Sequence, residues 1–142
     1  MKISTKGRYA LRLMLDLAIY DTGEPVSLKE IAVRQEISEK YLEQIISLIN
    51  KAGFVVSIRG ANGGYRLRQP PNAYTVGDIL RVTEGSLAPV SCVEAADCSR
   101  RDFCVTNRVW QKMDEAVTEV VDGITLADLV DWNSEMVDNY VI

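Results

Sequence analysis

A chain of 142 residues, 47% of them apolar, is about one ordinary domain, long enough to bury a core and carry an appended oligomerisation element. Three cysteines, an odd number, argue against a secreted disulfide framework, and no apolar run or charged-then-apolar leader marks a membrane segment or export signal, so a cytoplasmic location is expected. The net charge of -4 would disfavour a nucleic-acid partner, but it is unevenly divided: residues 1–70 hold 11 Lys and Arg against 7 Asp and Glu, residues 71–142 hold 5 against 13, so a basic half fit for phosphate precedes an acidic half that should face away from it.

Residues 4–20 place Tyr9, Ala10, Leu13, Met14, Leu17 and Ala18 on one face, widened by Leu11, Leu15 and Ile19, which predicts a helix buried on more than one side. Lys2, Lys6, Arg8 and Arg12 at its amino end are placed to meet phosphate; solvated surface charges are the plainer alternative. After the break at residues 21–25, Ser27-Leu28-Lys29-Glu30 has the order of a capping box and opens a second helix. Ser38 opens a third after only a tight turn, which makes the pair a helix-turn-helix.

In that third helix Leu42, Ile45, Ile46 and Ile49 form the apolar stripe, while Lys40, Glu43, Gln44, Ser47 and Lys51 share the opposite side. A cation, a carboxylate and an amide on one face suit the reading of base edges: glutamate accepts from cytosine and glutamine grips adenine. A merely solvated face is the commoner arrangement. Gly53 closes the helix, residues 54–58 and 65–68 read as paired strands, and the glycine-rich tip between them has Arg59 at its root. Helix-turn-helix followed by such a hairpin is a winged helix, whose wing lies along the DNA backbone or in the minor groove.

Residues 69–72 read as a linker, and Thr75-Val76-Gly77-Asp78 as another capped start, with Ile79, Leu80 and Val82 on a short helix that ends at Gly85. From residue 86 to 103 regular patterning disappears, and this loop with the next residue holds Cys92, Cys98 and Cys104, separated by two equal gaps. Soft thiolates grouped on a loop, in a chain without histidine, suit an iron-sulfur cluster or zinc; the spacing alone fits structural thiols equally well. Thr106 or Asn107 can cap a longer helix on which Val109, Met113, Ala116, Val117 and Val120 repeat at three and four, a seam suited to a twofold dimer or to an internal core. A last capped helix begins at Thr125 and carries Leu129, Val130, Trp132, Met136 and Tyr140, a tail expected to fold over that dimer.

Ser38-Glu39-Lys40-Tyr41-Leu42-Glu43-Gln44-Ile45, Lys51-Ala52-Gly53, Ser57-Ile58-Arg59-Gly60, Gly63-Gly64-Tyr65-Arg66-Leu67, the first ten residues and the three cysteines together resemble the Rrf2 family of bacterial winged-helix regulators, and within it the IscR-like branch. The resemblance implies a mainly α fold with a small β wing: a winged helix-turn-helix DNA-binding domain over residues 1–84, a cysteine-bearing cluster loop over 85–104, and a dimerisation helix with tail over 105–142. It implies a homodimer on a palindromic operator, with Lys2, Lys6, Ser38, Lys40, Tyr41, Glu43, Gln44, Arg59 and Gly60 at the DNA. It further implies an iron-sulfur cluster, 2Fe-2S favoured over 4Fe-4S, on Cys92, Cys98 and Cys104. The fourth ligand departs from the family: Asn107 stands where IscR-like members have histidine, and Arg8 where nitric oxide-sensing members have a carboxylate. Asn107, water, or Glu94, Asp97 or Asp102 would complete a weakly held, exchangeable site.

The function expected is a DNA-binding transcription regulator, a repressor, that reports iron-sulfur, iron, redox or nitric oxide status. Two alternatives stand beside it: a cysteine-metabolism type of regulator controlled by thiol oxidation or a partner enzyme, without a cluster, and a winged helix used only for protein contacts. Enzymatic activity is not expected, because histidine, a Cys-x-x-Cys pair and a phosphate-cradling glycine loop are all missing from the sequence.

Overall fold

α1 (Thr5–Ile19) starts where Ser4 accepts a hydrogen bond from the Gly7 amide, and it runs through the middle of a molecule described by a computed structural model over residues 2–95 and 97–140. Met1 of the amino-terminal motif, residues 141–142 of the tail and the Tyr140 side chain lie outside the described residues. Ala10, Leu13, Met14 and Leu17 are buried because α1 is packed on by four other helices, as its nearly all-round apolar sequence requires.

α2 (Leu28–Gln35) begins with the reciprocal Ser27–Glu30 capping box, and α3 (Glu39–Lys51) with Ser38 accepting from the Tyr41 amide. Between them Glu36 takes a left-handed conformation at φ 53°, although it is not glycine. Its strain, about 1 kcal/mol, is offset by the burial of Ile37 and by the bond from the Ile37 amide to the Ala32 carbonyl at 3.2 Å. β1 (Val55–Ile58) and β2 (Gly64–Leu67) form an antiparallel hairpin with Val55 opposite Leu67 and Ile58 opposite Gly64. Val26 and Tyr65 exchange backbone hydrogen bonds of 2.8 Å in each direction and fix this wing to the start of α2. A side chain on Gly64 would run into the Val26 carbonyl, so the wing can close down only on glycine.

The stretch after the wing is more firmly held than a linker. The Tyr74 hydroxyl donates to the Phe54 carbonyl at 2.7 Å and accepts from the Gln69 amide at 2.9 Å, which pins the short 3-10 turn Pro71–Ala73 between them. α4 (Val76–Glu84) follows from a Thr75–Asp78 capping box and ends at Gly85, φ 71°. Two further 3-10 turns, Ser91–Val93 and Arg101–Phe103, interrupt the loop that precedes α5 (Asn107–Gly123) and α6 (Leu126–Tyr140).

The carboxyl end of α5 is tied to α4. The Val76 amide donates to the Ile124 carbonyl and the Leu126 amide to the Tyr74 carbonyl, both at 2.9 Å. Arg81 grips Asp122 through two hydrogen bonds of 2.7 and 3.0 Å, which draws the Asp122 carboxyl below the usual carboxylate range. A side chain on Gly77 would strike that carboxylate, so the glycine admits the pair.

The seam expected on α5 divides. Val117 turns inward with Val121 against Val76, Leu80 and Leu87, because α4 packs there, while Val109, Met113, Ala116 and Val120 remain exposed. On α6 the expected tail divides likewise: Leu126, Leu129 and Val130 join the core around α1, and Trp132 and Met136 face outward.

Candidate nucleic-acid interface and metal centre

α3 buries Leu42, Ile45, Ile46 and Ile49 and leaves Lys40, Glu43, Gln44, Ser47 and Lys51 exposed, as the spacing predicts. Ser38, among the expected DNA contacts, spends its hydroxyl oxygen on capping α3. Tyr41 is half-buried, edge-on to Tyr9 of α1 with ring centroids 5.8 Å apart, so its ring is placed by α1. Arg59 and Gly60 are exposed at the wing; Lys2 is exposed and Lys6 half-buried at the start of α1. The positions named from sequence thus fall on the outer face of α3, the wing and the amino end of α1.

Of the other cations expected to meet phosphate, Arg8 donates to the Thr5 hydroxyl at 2.9 Å, and Arg12 is held by the neighbouring turn. Its guanidinium donates to the Gln35 side chain at 3.1 Å and to the Gln35 carbonyl, and lies over the Tyr9 ring, 5.2 Å from its centroid. It is held by the α2–α3 turn because that turn leaves a carbonyl within its reach.

Beneath this contact lies a group that sequence reading missed. Asp16 is 0% exposed and accepts from Arg34 Nε at 3.0 Å, Arg34 Nη2 at 2.8 Å and Gln35 Nε2 at 3.0 Å. Arg34 in turn stacks on Tyr20, 3.9 Å from the ring centroid. A carboxylate within the apolar run of residues 13–18 was the available signal, since a buried charge needs a partner. The network joins the middle of α1 to the end of α2, just before the turn into α3.

Cys92, Cys98 and Cys104, though spread along the loop, line one cavity of about 140 Å³ together with Arg101, Thr106, Asn107 and Trp110. Cys92 sits on the first 3-10 turn, Cys104 follows the second, and Asn107 is the first residue of α5. Thr106 offers α5 no side-chain cap; its hydroxyl instead lies 3.2 Å from Cys104 Sγ. That hydroxyl, then the Asn107 amide and more weakly Arg100, hold the Cys104 thiol below the usual thiol range, and the thiolate is the form that binds metal.

Asn107 is 5% exposed, and its Oδ1 is a buried side-chain oxygen without a hydrogen-bond partner among the described residues. A buried acceptor left unpaired costs about 1–3 kcal/mol, so its place at the cavity wall calls for a partner inside. Glu94, Asp97 and Asp102 do not line the cavity, and Glu94 is engaged by the Ser86 hydroxyl. Among the described residues no three His, Cys, Asp or Glu side chains converge tightly enough for a single metal ion. The three thiols line that one space, and soft thiolates suit iron-sulfur and zinc chemistry alike. The donor set, three thiolates and a carboxamide oxygen around such a space, fits an iron-sulfur cluster.

No helix among the described residues is long and apolar enough to cross a membrane. Residues 3–132 match the family model described as Rrf2, iron-dependent transcriptional regulator. The chain is 37% identical to the HTH-type transcriptional regulator IscR of Vibrio cholerae over 142 residues, covering 100% of this chain and 79% of that one. Among solved structures it is similar to CymR, the global cysteine regulator of B. subtilis, with TM-score 0.79, 45% identity, and 93% of this chain and 98% of that one covered. It is likewise similar to IscR of T. potens, with TM-score 0.78, 47% identity, and 96% and 90% covered.

Proposed function

Because the chain belongs to the Rrf2 family of transcriptional regulators, with a winged-helix fold, we propose that it is a homodimeric repressor whose grip on a palindromic operator is set by an iron-sulfur cluster, 2Fe-2S in preference to 4Fe-4S. The single observation that carries the reading is the gathering of Cys92, Cys98, Cys104 and the unpaired Asn107 Oδ1 around one cavity. These four residues would hold the group, with the carboxamide as its weakest and most exchangeable ligand. When bound, the cluster supplies a redox-sensitive negative charge and a fixed spacing for the loop.

The remaining steps belong to the chain. With the three cysteines held, the turns that carry Cys92 and Cys104 and the amino end of α5 would be fixed relative to one another, the carboxyl end of α5 being clamped to α4 by Arg81 and Asp122. Val109, Met113, Ala116 and Val120, exposed along α5, form the twofold seam, so the setting of α5 determines how the two α3 helices face successive major grooves. Lys40, Tyr41 and Gln44 then meet bases or adjacent phosphates, while Arg59, Gly60, Lys2 and Lys6 grip the backbone or minor groove.

Glu43 has a different task, because a carboxylate beside DNA is repulsive unless it meets a cytosine amino group. Glu43→Ala is expected to broaden the set of bound sites, losing about 1–3 kcal/mol of discrimination at one base pair. Binding measured across a panel of single-base operator variants checks this, and an unchanged preference removes the role.

A second reading is favoured by the likeness to the cysteine regulator and by the readily ionised Cys104: a cluster-free regulator whose thiols respond to oxidant. Purification without oxygen, followed by absorption spectra, iron analysis and operator binding before and after chelation, separates the two. Coloured, iron-bearing protein whose DNA affinity or site preference changes on chelation is the expected result. Colourless, iron-free protein that binds its operator unaltered until oxidised would transfer the function to the second reading.

A further inference from the structure

Arg101 is the one cationic side chain lining the cysteine cavity among the described residues, and it is half-buried there. Its Nη1 donates to the Ala95 carbonyl at 2.8 Å, across a loop that has Cys98 between the two residues. Ala95 itself closes the turn that carries Cys92, since its amide and that of Glu94 both donate to the Ser91 carbonyl, at 2.9 and 3.1 Å. On the other side the Arg101 amide donates to the Cys98 carbonyl at 3.2 Å, and the Phe103 amide to the Arg100 carbonyl at 3.0 Å just before Cys104. One side chain therefore joins the turn of the first cysteine to the turn of the third, over the second.

The charge of that side chain matters as much as its reach. Three thiolates around a 2Fe-2S core with a neutral carboxamide make a group of net negative charge that grows on reduction. In a half-enclosed cavity a nearby cation stabilises such a guest more than it would in open water. Glu94, Asp97 and Asp102, the carboxylates on the same loop, stay out of the lining, so the wall facing the guest keeps a positive sign.

Building on the cluster reading, we propose that Arg101 is the positioning residue of the cysteine cavity: it straps the Cys92 turn to the Cys104 turn and presents the fixed positive charge that the anionic cluster meets. The strap belongs to the protein with or without its guest, whereas the charge acts once the guest is there. The two roles separate by substitution. Arg101→Lys keeps the cation but loses the guanidinium whose Nη1 reaches the Ala95 carbonyl, and Arg101→Gln removes the cation.

Hydrogen exchange of the cluster-free full-length protein reads the strap. Amides in residues 92–104 are expected to exchange about tenfold faster in Arg101→Gln, with exchange in α1 to α4 unchanged. Anaerobically loaded protein reads the charge: iron loss to a chelator is expected to be about tenfold faster in Arg101→Gln than in wild type and intermediate in Arg101→Lys. The cluster's reduction potential should move negative in Arg101→Gln and stay near wild type in Arg101→Lys. Wild-type rates of exchange and iron loss in Arg101→Gln would overturn the proposal. If wild-type protein takes up no iron, the cluster reading and the charge role both fall; faster exchange in Arg101→Gln would then leave the strap alone standing, and unchanged exchange would remove that too.

Discussion

Arg34→Ala is expected to lower folding stability by about 3–5 kcal/mol, a large part of the margin that holds a domain of this size together. Asp16 is fully buried, and its two bonds from Arg34 leave only the neutral Gln35 amide as a third donor. Removing the guanidinium strands a desolvated carboxylate beside α1 with one neutral donor left to it. Arg34→Lys should recover only part of the loss, because an ammonium supplies neither the paired Nε and Nη2 donors nor the flat face that lies on Tyr20. The ion pair between α4 and α5 supplies the contrast: Arg81 and Asp122 are each 38% exposed. Arg81→Ala should therefore cost about 1 kcal/mol or less. Urea unfolding followed by far-ultraviolet circular dichroism gives both numbers, and equal losses at the two sites would refute the distinction. The expected loss also reaches function. The same network carries Gln35, whose carbonyl and side chain hold Arg12 at the α2–α3 turn, so folded Arg34→Ala protein should bind its operator more weakly than Arg81→Ala protein.

How much of this was legible in the sequence follows from how local each feature is. Ser27, Ser38 and Thr75 announce their helices because a capping oxygen meets an amide three residues away, and the structure has all three bonds. The faces of α3 were equally plain, since its stripe repeats without interruption. Glu36 gave no signal, because its left-handed turn is imposed by the need to bury Ile37 and not by its own side chain. Val117 could not be told from Val120 on a helical repeat; only the presence of α4 decides that one turns inward. The cysteine spacing fitted a metal site and structural thiols equally well and gave no sign of the cavity, whose walls at Arg101 and Trp110 depend on two short turns with no sequence pattern. Asn107 entered as an occupant of a position where relatives carry histidine. Its burial with an unpaired oxygen gives it a reason of its own, and that reason exists only in three dimensions.

On the cluster reading proposed above, that unpaired oxygen sets stability against cluster retention, and Asn107→Leu should expose the conflict. In cluster-free protein the substitution replaces a buried acceptor without a partner by an apolar group of similar size, so stability should rise by about 1–2 kcal/mol. In loaded protein the same change deletes the carboxamide donor at the mouth of α5, and iron loss to a chelator should quicken about ten- to a hundredfold. Opposite signs for the two measurements are the mark of a residue kept for its guest, because an ordinary core position would gain or lose in both. Asn107→His runs the other way, since an imidazole nitrogen is a better iron ligand than a carboxamide oxygen and should slow the loss. Were Asn107→Leu to destabilise the cluster-free protein and leave iron retention untouched, its Oδ1 would have to be satisfied by something other than iron, and the cavity would rest on three thiolates alone.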